Sequence, residues 1–184
     1  MTSVFPLITL LAALASAPAL ATDYTASKDS TLGFRATYMD DRFEGRFADF
    51  TPAIRFDPAD LENSRFDVRI ALSSASTDNQ ERDEMLVGPE FFNAGALPEA
   101  RYQAGRFTAL GGSRFRADGQ LTLNGVSKPV ALEFDWTPGT PAVLEGRAQL
   151  KRLAFKVGEG DWADTELLPN EVEVFTRLEL QPKP

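Results

Sequence analysis

The 184-residue chain contains neither histidine nor cysteine. These two absences remove most of the catalytic and metal chemistry that proteins use. Without imidazole or thiol there is no Ser-His-Asp or Cys-His nucleophile, no zinc site built on His or Cys, no haem held by His and no iron–sulfur cluster. A Ser-Lys nucleophile or a carboxylate pair stays chemically open. The acidic candidates are Asp40 with Asp41, the run from Asp78 to Glu84, and Asp161 with Asp164. Adjacent carboxylates in turns are ordinarily solvated surface, and none of these runs has the ligand spacing of a calcium loop. Gly158-Glu159-Gly160 has no helix pattern after it and has acidic neighbours, so it makes a poor phosphate cradle. The expectation is a protein that is not an enzyme, with no cofactor and no metal.

Basic sequence is also scarce. The formal net charge is −8, and no basic stretch interleaves with aromatics, which disfavours nucleic acid and anionic headgroups as partners. Linkers, low-complexity tracts and repeats are missing, so a single domain is expected. No Lys or Arg precedes the apolar run from Val4 to Leu20. That run nevertheless ends in Ala19-Leu20-Ala21, the small-x-small pattern of a secretory cleavage site. Pro6, Pro18 and the marginal length argue against a membrane anchor. Residues 1–21 are read as a cleaved signal peptide and residues 22–184 as the mature domain, large enough for a substantial core. An exported chain without cysteine holds together by burial alone, which suits a bacterial periplasm.

What the chain has in excess is phenylalanine, 14 in all, set in a two-residue alternation. Thr22 to Ala26 reads as a first strand, and Leu32, Phe34, Ala36 and Tyr38 alternate in a second. Phe43 to Phe47 follows the Asp40-Asp41 turn, and Ile54 with Phe56 precedes Pro58. The clearest signal is Phe66, Val68, Ile70 and Leu72 alternating with Arg65, Asp67, Arg69 and Ala71. Further strands run from Tyr102 to Leu110, through Phe115 to Leu123, and from Val130 to Trp136. Leu144 to Leu153 and Val172 to Leu180 complete the set. Asn124-Gly125 is a strong hairpin signal that fixes register. The fold expected is all-β, a single antiparallel barrel of eight or more strands, with a sandwich as the alternative. Gly45 and Gly119, inside strand patterns, suit barrel corners or bulges.

One stretch breaks the alternation. From Asp78 to Phe92, Thr77 with Gln80 reads as a capping box, and Met85 and Leu86 give one apolar face beside Arg82. Gly88 offers a left-handed stop and Pro89 opens a second turn carrying Phe91 and Phe92. A short helical insert in a strand-rich chain has the shape of a plug at one barrel mouth.

The same residues carry a family resemblance. Asp78-Asn79-Gln80-Glu81-Arg82-Asp83, Leu86, Glu90-Phe91-Phe92 and Leu97-Pro98 resemble the helix region of the YceI-like family. Asp118 to Val130, DGQLTLNGVSKPV, is similar to its G-x-L-T-hydrophobic-x-G-V-T-K-P-V segment. Phe155 to Thr165, FKVGEGDWADT, looks like a G-x-G-E-W-A-D-T variant found in one branch. The resemblance spans Thr22 to Leu180. It implies a lipocalin-like barrel in the periplasm that binds a polyisoprenoid or isoprenoid quinone, sometimes as a homodimer. For the tryptophan-motif branch it also suggests a membrane redox partner. Where the family often carries His, this chain has Ser30-Thr31-Leu32, Met85 and Asn124.

The expected function is therefore a carrier or store for an apolar lipid held in the barrel. The wall residues expected to touch it are Phe34, Phe43, Phe47, Phe66, Val68 and Ile70, with Leu132, Phe134 and Phe155 from later strands. At the mouth, Met85, Leu86, Phe91 and Phe92 form the apolar plug, with Arg82 and Trp162 as polar candidates for the head group. The alternative is an interaction protein whose barrel is filled by its own phenylalanines and which partners a membrane redox protein.

Overall fold

Alternation of inward apolar and outward polar side chains produces eleven strands among the described residues, because successive residues of an extended chain point to opposite faces. A computed structural model describes residues 21–183, so all of the expected signal peptide except Ala21 lies outside the described residues. The strands are β1 (Thr22–Ala26), β2 (Thr31–Tyr38), β3 (Asp41–Phe47), β4 (Phe50–Phe56), β5 (Arg65–Ala71) and β6 (Ala75–Ser76). After the α-helix α1 (Gln80–Val87) come β7 (Glu99–Gly111), β8 (Arg114–Leu123), β9 (Val126–Thr137), β10 (Ala142–Lys151) and β11 (Glu171–Pro182). All pairings are antiparallel, and β1-β4-β5-β7-β8-β9-β10-β11 closes on itself through β1–β11. The expected all-β barrel with one helical insert is therefore the fold.

The other three strands heighten the wall. β11 pairs with β1 at Leu180 to Pro182 and with β2 at Glu173 to Arg177, so β1 and β2 are two halves of one wall position. β3 and β4 share the next position, and β5 and β6 the one after. All three break at the same height. There the backbone is stitched by side chains: Ser30 Oγ accepts from Glu179 N, and Ser74 Oγ accepts from Asp49 N. The Asn124-Gly125 turn has φ of 51° and 73°, the left-handed pair that a two-residue hairpin loop demands.

These breaks mark the boundary between two core layers. Below them Phe56, 1 % exposed, sits among the rings of Phe66, Phe107, Phe115, Phe134 and Trp136, with centroids 4.9 to 6.1 Å away. Edge-on contacts of this kind add about 0.5–1.5 kcal/mol per pair beyond simple burial. The lower half of the barrel is thus filled by its own side chains. Above the breaks lies a second cluster that includes Leu32, Phe34, Leu72, Leu86, Phe91, Phe92 and Phe155.

One wall joint is incomplete. β9 pairs with β10 only from Glu133–Arg147 to Thr137–Val143, whereas Val126 to Leu132 pair with β8 alone. Pro129 lies in this unpaired portion, where its missing N–H costs no ladder bond.

Candidate functional site

The upper layer leaves an internal cavity of about 190 Å³. Its floor is Ile54, Phe66, Leu144 and Leu178, which also belong to the packed lower layer. Its walls come from β2 to β5 and β7 to β11, and its roof from α1, the turn after it, and the segment from Arg152 to Leu168.

Only three lining side chains carry a polar atom: Tyr102, Arg152 and Thr176. Each is consumed by the protein. Thr176 Oγ1 donates to Thr31 O at 2.8 Å, and the Tyr102 hydroxyl reaches the carbonyls of Ala117 and Val130 at 3.1 and 3.3 Å. Burial, together with the nearby Asp118 charge, pushes the Tyr102 phenol well above its ordinary range, so it stays neutral. Among the described residues no buried side-chain nitrogen or oxygen lacks a partner. The cavity is consequently an apolar surface that offers no hydrogen bond to an occupant.

Arg152 builds the roof. Arg152 is 5 % exposed and among the described residues has no carboxylate partner. Instead Nε donates to Pro169 O (3.1 Å), Nη1 to Val157 O (3.0 Å) and Gly158 O (2.6 Å), and Nη2 to Trp162 O (2.7 Å) and Leu168 O (2.6 Å). All five N–H groups are spent on one loop, a fork geometry that lysine lacks. Burial lowers the Arg152 pKa from the usual arginine value, but a guanidinium remains charged. Gly158 adopts φ +69°, and a Cβ there would sit 2.7 Å from Nη1, so only glycine lets the loop wrap the guanidinium.

The helical insert closes the other side. Its N-cap is Asn79, whose side chain accepts from Arg82 N at 3.0 Å; the expected Thr77–Gln80 box does not form. Thr77 is occupied elsewhere, donating to Asp83 Oδ1 and accepting from Arg82 Nε. Asp83 takes two more bonds, from Ser76 Oγ and Thr77 N. Desolvation acts to raise its pKa, but the Thr77 and Ser76 bonds together outweigh that and hold it below the ordinary carboxylate range. Gly88 ends the helix in extended backbone (φ −68°, ψ 170°), not in the expected left-handed stop. The left-handed residue falls later, at Asn93 (φ 49°), after the second turn that carries Phe91 and Phe92.

Eleven of the residues expected to touch a ligand line the cavity. From the wall these are Phe34, Phe43, Phe47, Phe66, Val68 and Ile70, with Leu132 from β9; from the roof they are Leu86, Phe91, Phe92 and Phe155. Four do not. Met85 is 37 % exposed on the outer face of α1, whereas Leu86 is buried and Val87 packs partly against the upper cluster. Phe134 is buried in the lower layer, below the cavity. Arg82 lies outside the wall, its guanidinium 4.3 Å over the Phe43 ring. Trp162 covers the roof from outside, 5.4 Å from Phe91 and 6.1 Å from Tyr38, with Nε1 donating to Glu90 Oε2.

A YceI-like domain model matches residues 24–180. The chain belongs to the YceI-like family. Among its relatives, a UPF0312 protein of Pseudomonas paraeruginosa is 33 % identical over 174 residues, 88 % of this chain and 87 % of that one. Among solved structures, BcnA of Burkholderia cenocepacia superposes with a TM-score of 0.78 at 26 % identity, covering 81 % of this chain and 94 % of its own. A polyisoprenoid binding domain from Saccharophagus degradans shares the fold alone, with a TM-score of 0.67 at 14 % identity over 90 % of this chain and all of that one.

Against this YceI-like frame, the sequence reading passed over many lining residues, the polar Thr176 among them, and most consequentially Tyr102 and Arg152. Both had a signal. In β10 the inward positions run Leu144, Gly146, Ala148, Leu150, and the same parity lands on Arg152. In β7 it runs Ala100, Tyr102, Ala104. Gly119 supplies the room for Tyr102, since a Cβ there would sit 2.5 Å from the ring. Gly45 does the same for Phe34. Both glycines admit an aromatic ring against the wall, and Gly119 also lies at an expected bulge, where the β7–β8 register shifts between Ala104 and Arg106.

Proposed function

We propose that this YceI-like protein holds one long apolar chain, a polyisoprenoid or isoprenoid-quinone tail, in its upper cavity, and carries or stores it in the periplasm after loss of residues 1–21. The observation that carries this reading is a cavity of about 190 Å³ in which every polar atom is already bonded to protein. An apolar void of this sort stays dry, so hydrocarbon is the occupant its surface suits. The size favours a slender chain, since pockets for drug-sized bulky molecules begin at roughly 300 Å³. Burying an isoprene unit yields roughly 3–4 kcal/mol as an upper value, at about 0.8 kcal/mol per CH₂, so a few units suffice for tight binding. The packed lower layer sets the depth: the tail stops above Phe66 and Leu144.

The experiment is organic extraction of the protein purified from a bacterial periplasm, followed by mass spectrometry, with native mass spectrometry to read ligand and oligomer together. A stoichiometric prenyl lipid is the expected result. Repeated recovery of empty protein that also takes up no prenyl chain in titration would overturn the proposal.

A further inference from the structure

The incomplete β9–β10 joint has cavity on its inner side and a polar groove at its top. Val130 and Leu132 on one flank and Ala148 and Leu150 on the other all line the cavity. Above them the joint is bridged by one side chain: Asn124 Nδ2 donates to Lys156 O at 3.0 Å and to Phe91 O at 3.2 Å. A backbone bond from Gly158 N to Glu90 O, 2.7 Å, completes the seam. The wall there is one residue thick. Phe91, Leu123, Phe155 and Val157 face the cavity, while their neighbours Glu90, Asn124 and Lys156 line the groove with Asn93 and Glu159. Three residues of this groove, Asn93, Asn124 and Lys156, hold left-handed φ of 49°, 51° and 57°. Such backbone is costly for a lysine and persists where surroundings enforce it.

Resting on the apolar-tail reading above, we infer that this groove seats the ligand's head group and that the seam beneath it, latched by Asn124, is where the tail passes into the cavity. The cavity accepts no polar atom, so the head must remain outside, and the groove is the polar surface adjoining an unpaired stretch of wall. Its chemistry selects the head. Glu90 and Glu159 offer carboxylate oxygens, Asn93 offers an amide, Asn124 offers only its Oδ1, and Lys156 offers one ammonium that makes no ion pair among the described residues. Two carboxylates against one ammonium repel a diphosphate and suit an uncharged head that both donates and accepts, a prenyl alcohol above all. Lys156 and Glu159 are then the specificity-determining residues.

The test measures the affinity of farnesol and of farnesyl diphosphate for the intact mature protein, following Trp162 fluorescence. The alcohol is expected to bind about tenfold or more tightly, since each uncompensated unit charge near 4 Å contributes about 1 kcal/mol in water. Glu159→Lys should shift the ratio by about tenfold toward the diphosphate, and Lys156→Glu should shift it the other way. Asn124→Ala, which removes the latch, should speed tail loading several-fold. Thermal melts confirm that each variant is folded. Equal binding of both ligands, or a ratio that ignores both charge variants, overturns the head site and leaves the tail reading standing. Binding of neither ligand overturns both.

Discussion

Filling the cavity from within should abolish ligand binding while sparing the fold. Ala148 lines the cavity from β10 opposite Val174 of β11, and its methyl is one of the few small groups on the upper wall. Ala148→Phe projects a ring into the space a tail would take. The void of about 190 Å³, at roughly 24 cal/mol per Å³, represents about 4.6 kcal/mol of unrealised packing. The added ring recovers part of that, so the empty variant should melt no lower than the empty parent. A tail displaced by one isoprene unit loses about 3 kcal/mol of burial, which is more than a hundredfold in affinity. The assay is a thermal melt with and without a prenyl chain. A ligand at a hundred times its Kd stabilises the parent by about 2.7 kcal/mol. For a domain of this size that raises Tm by roughly 5–10 °C. The Ala148→Phe variant should shift by less than about 2 °C. Ala36→Phe, which enters from β2, should behave alike. Undiminished binding in both folded variants would refute the placement of the tail.

Three other outcomes test the supports of the site. Arg152→Lys keeps a charge but supplies three donors where five carbonyls wait, and it should cost about 3 kcal/mol, with faster hydrogen exchange confined to residues 153–170. Gly119→Ala should cost about 2–3 kcal/mol in a denaturant melt, because its Cβ would sit 2.6 Å from the Gln103 carbonyl and 2.5 Å from the Tyr102 ring; Gly95→Ala, with open space around it, should be near neutral. The Asp83 carboxyl has its pKa lowered in the folded state, so its contribution is present above the unfolded carboxylate value and is lost as pH falls through the folded one. Amides of α1 should therefore exchange faster only on the acid side of the ordinary carboxylate range, and Asp83→Asn should remove that acid-induced step.

The wall was legible because period-two alternation is a local property of the chain, and Phe66 to Leu72 or Val130 to Trp136 carry it without interruption. The hairpin at Asn124-Gly125 was legible for the same reason. The helix was recognisable as an element, but its cap was not: Thr77 reads as the cap, yet Asn79 takes that place because Thr77 is needed to hold Arg82 and Asp83. Parity assigns a residue to the inside of the barrel without giving its height. Phe66 and Phe134 are both inward, yet Phe66 reaches the cavity floor and Phe134 does not, because height depends on the shear of the closed sheet. The sequence alternatives of a filled barrel and a ligand-holding barrel were accordingly posed as exclusive.

The structure places a filled half and a half with an apolar cavity in one molecule, and the boundary explains both. Where β1, β4 and β5 pair in the closed ring, rings from all sides meet at Phe56 and leave no space. Above the breaks at Ser27 to Ser30, Ala48-Asp49 and Leu72 to Ser74 the wall continues as β2, β3 and β6, and the side chains no longer meet. Tightly packed aromatics below give the rigidity that an open upper half lacks, since a barrel with a void forfeits dispersion contacts along its lining. The roof then has to be held by polar bonds outside the cavity, which is where Arg152, Asp83 and Asn124 stand. Because the wall's own polar groups, Tyr102 and Thr176, are bonded to wall carbonyls, the roof and seam bonds are separable from the apolar lining. A roof variant should alter how fast a tail enters, and a lining variant how tightly it stays.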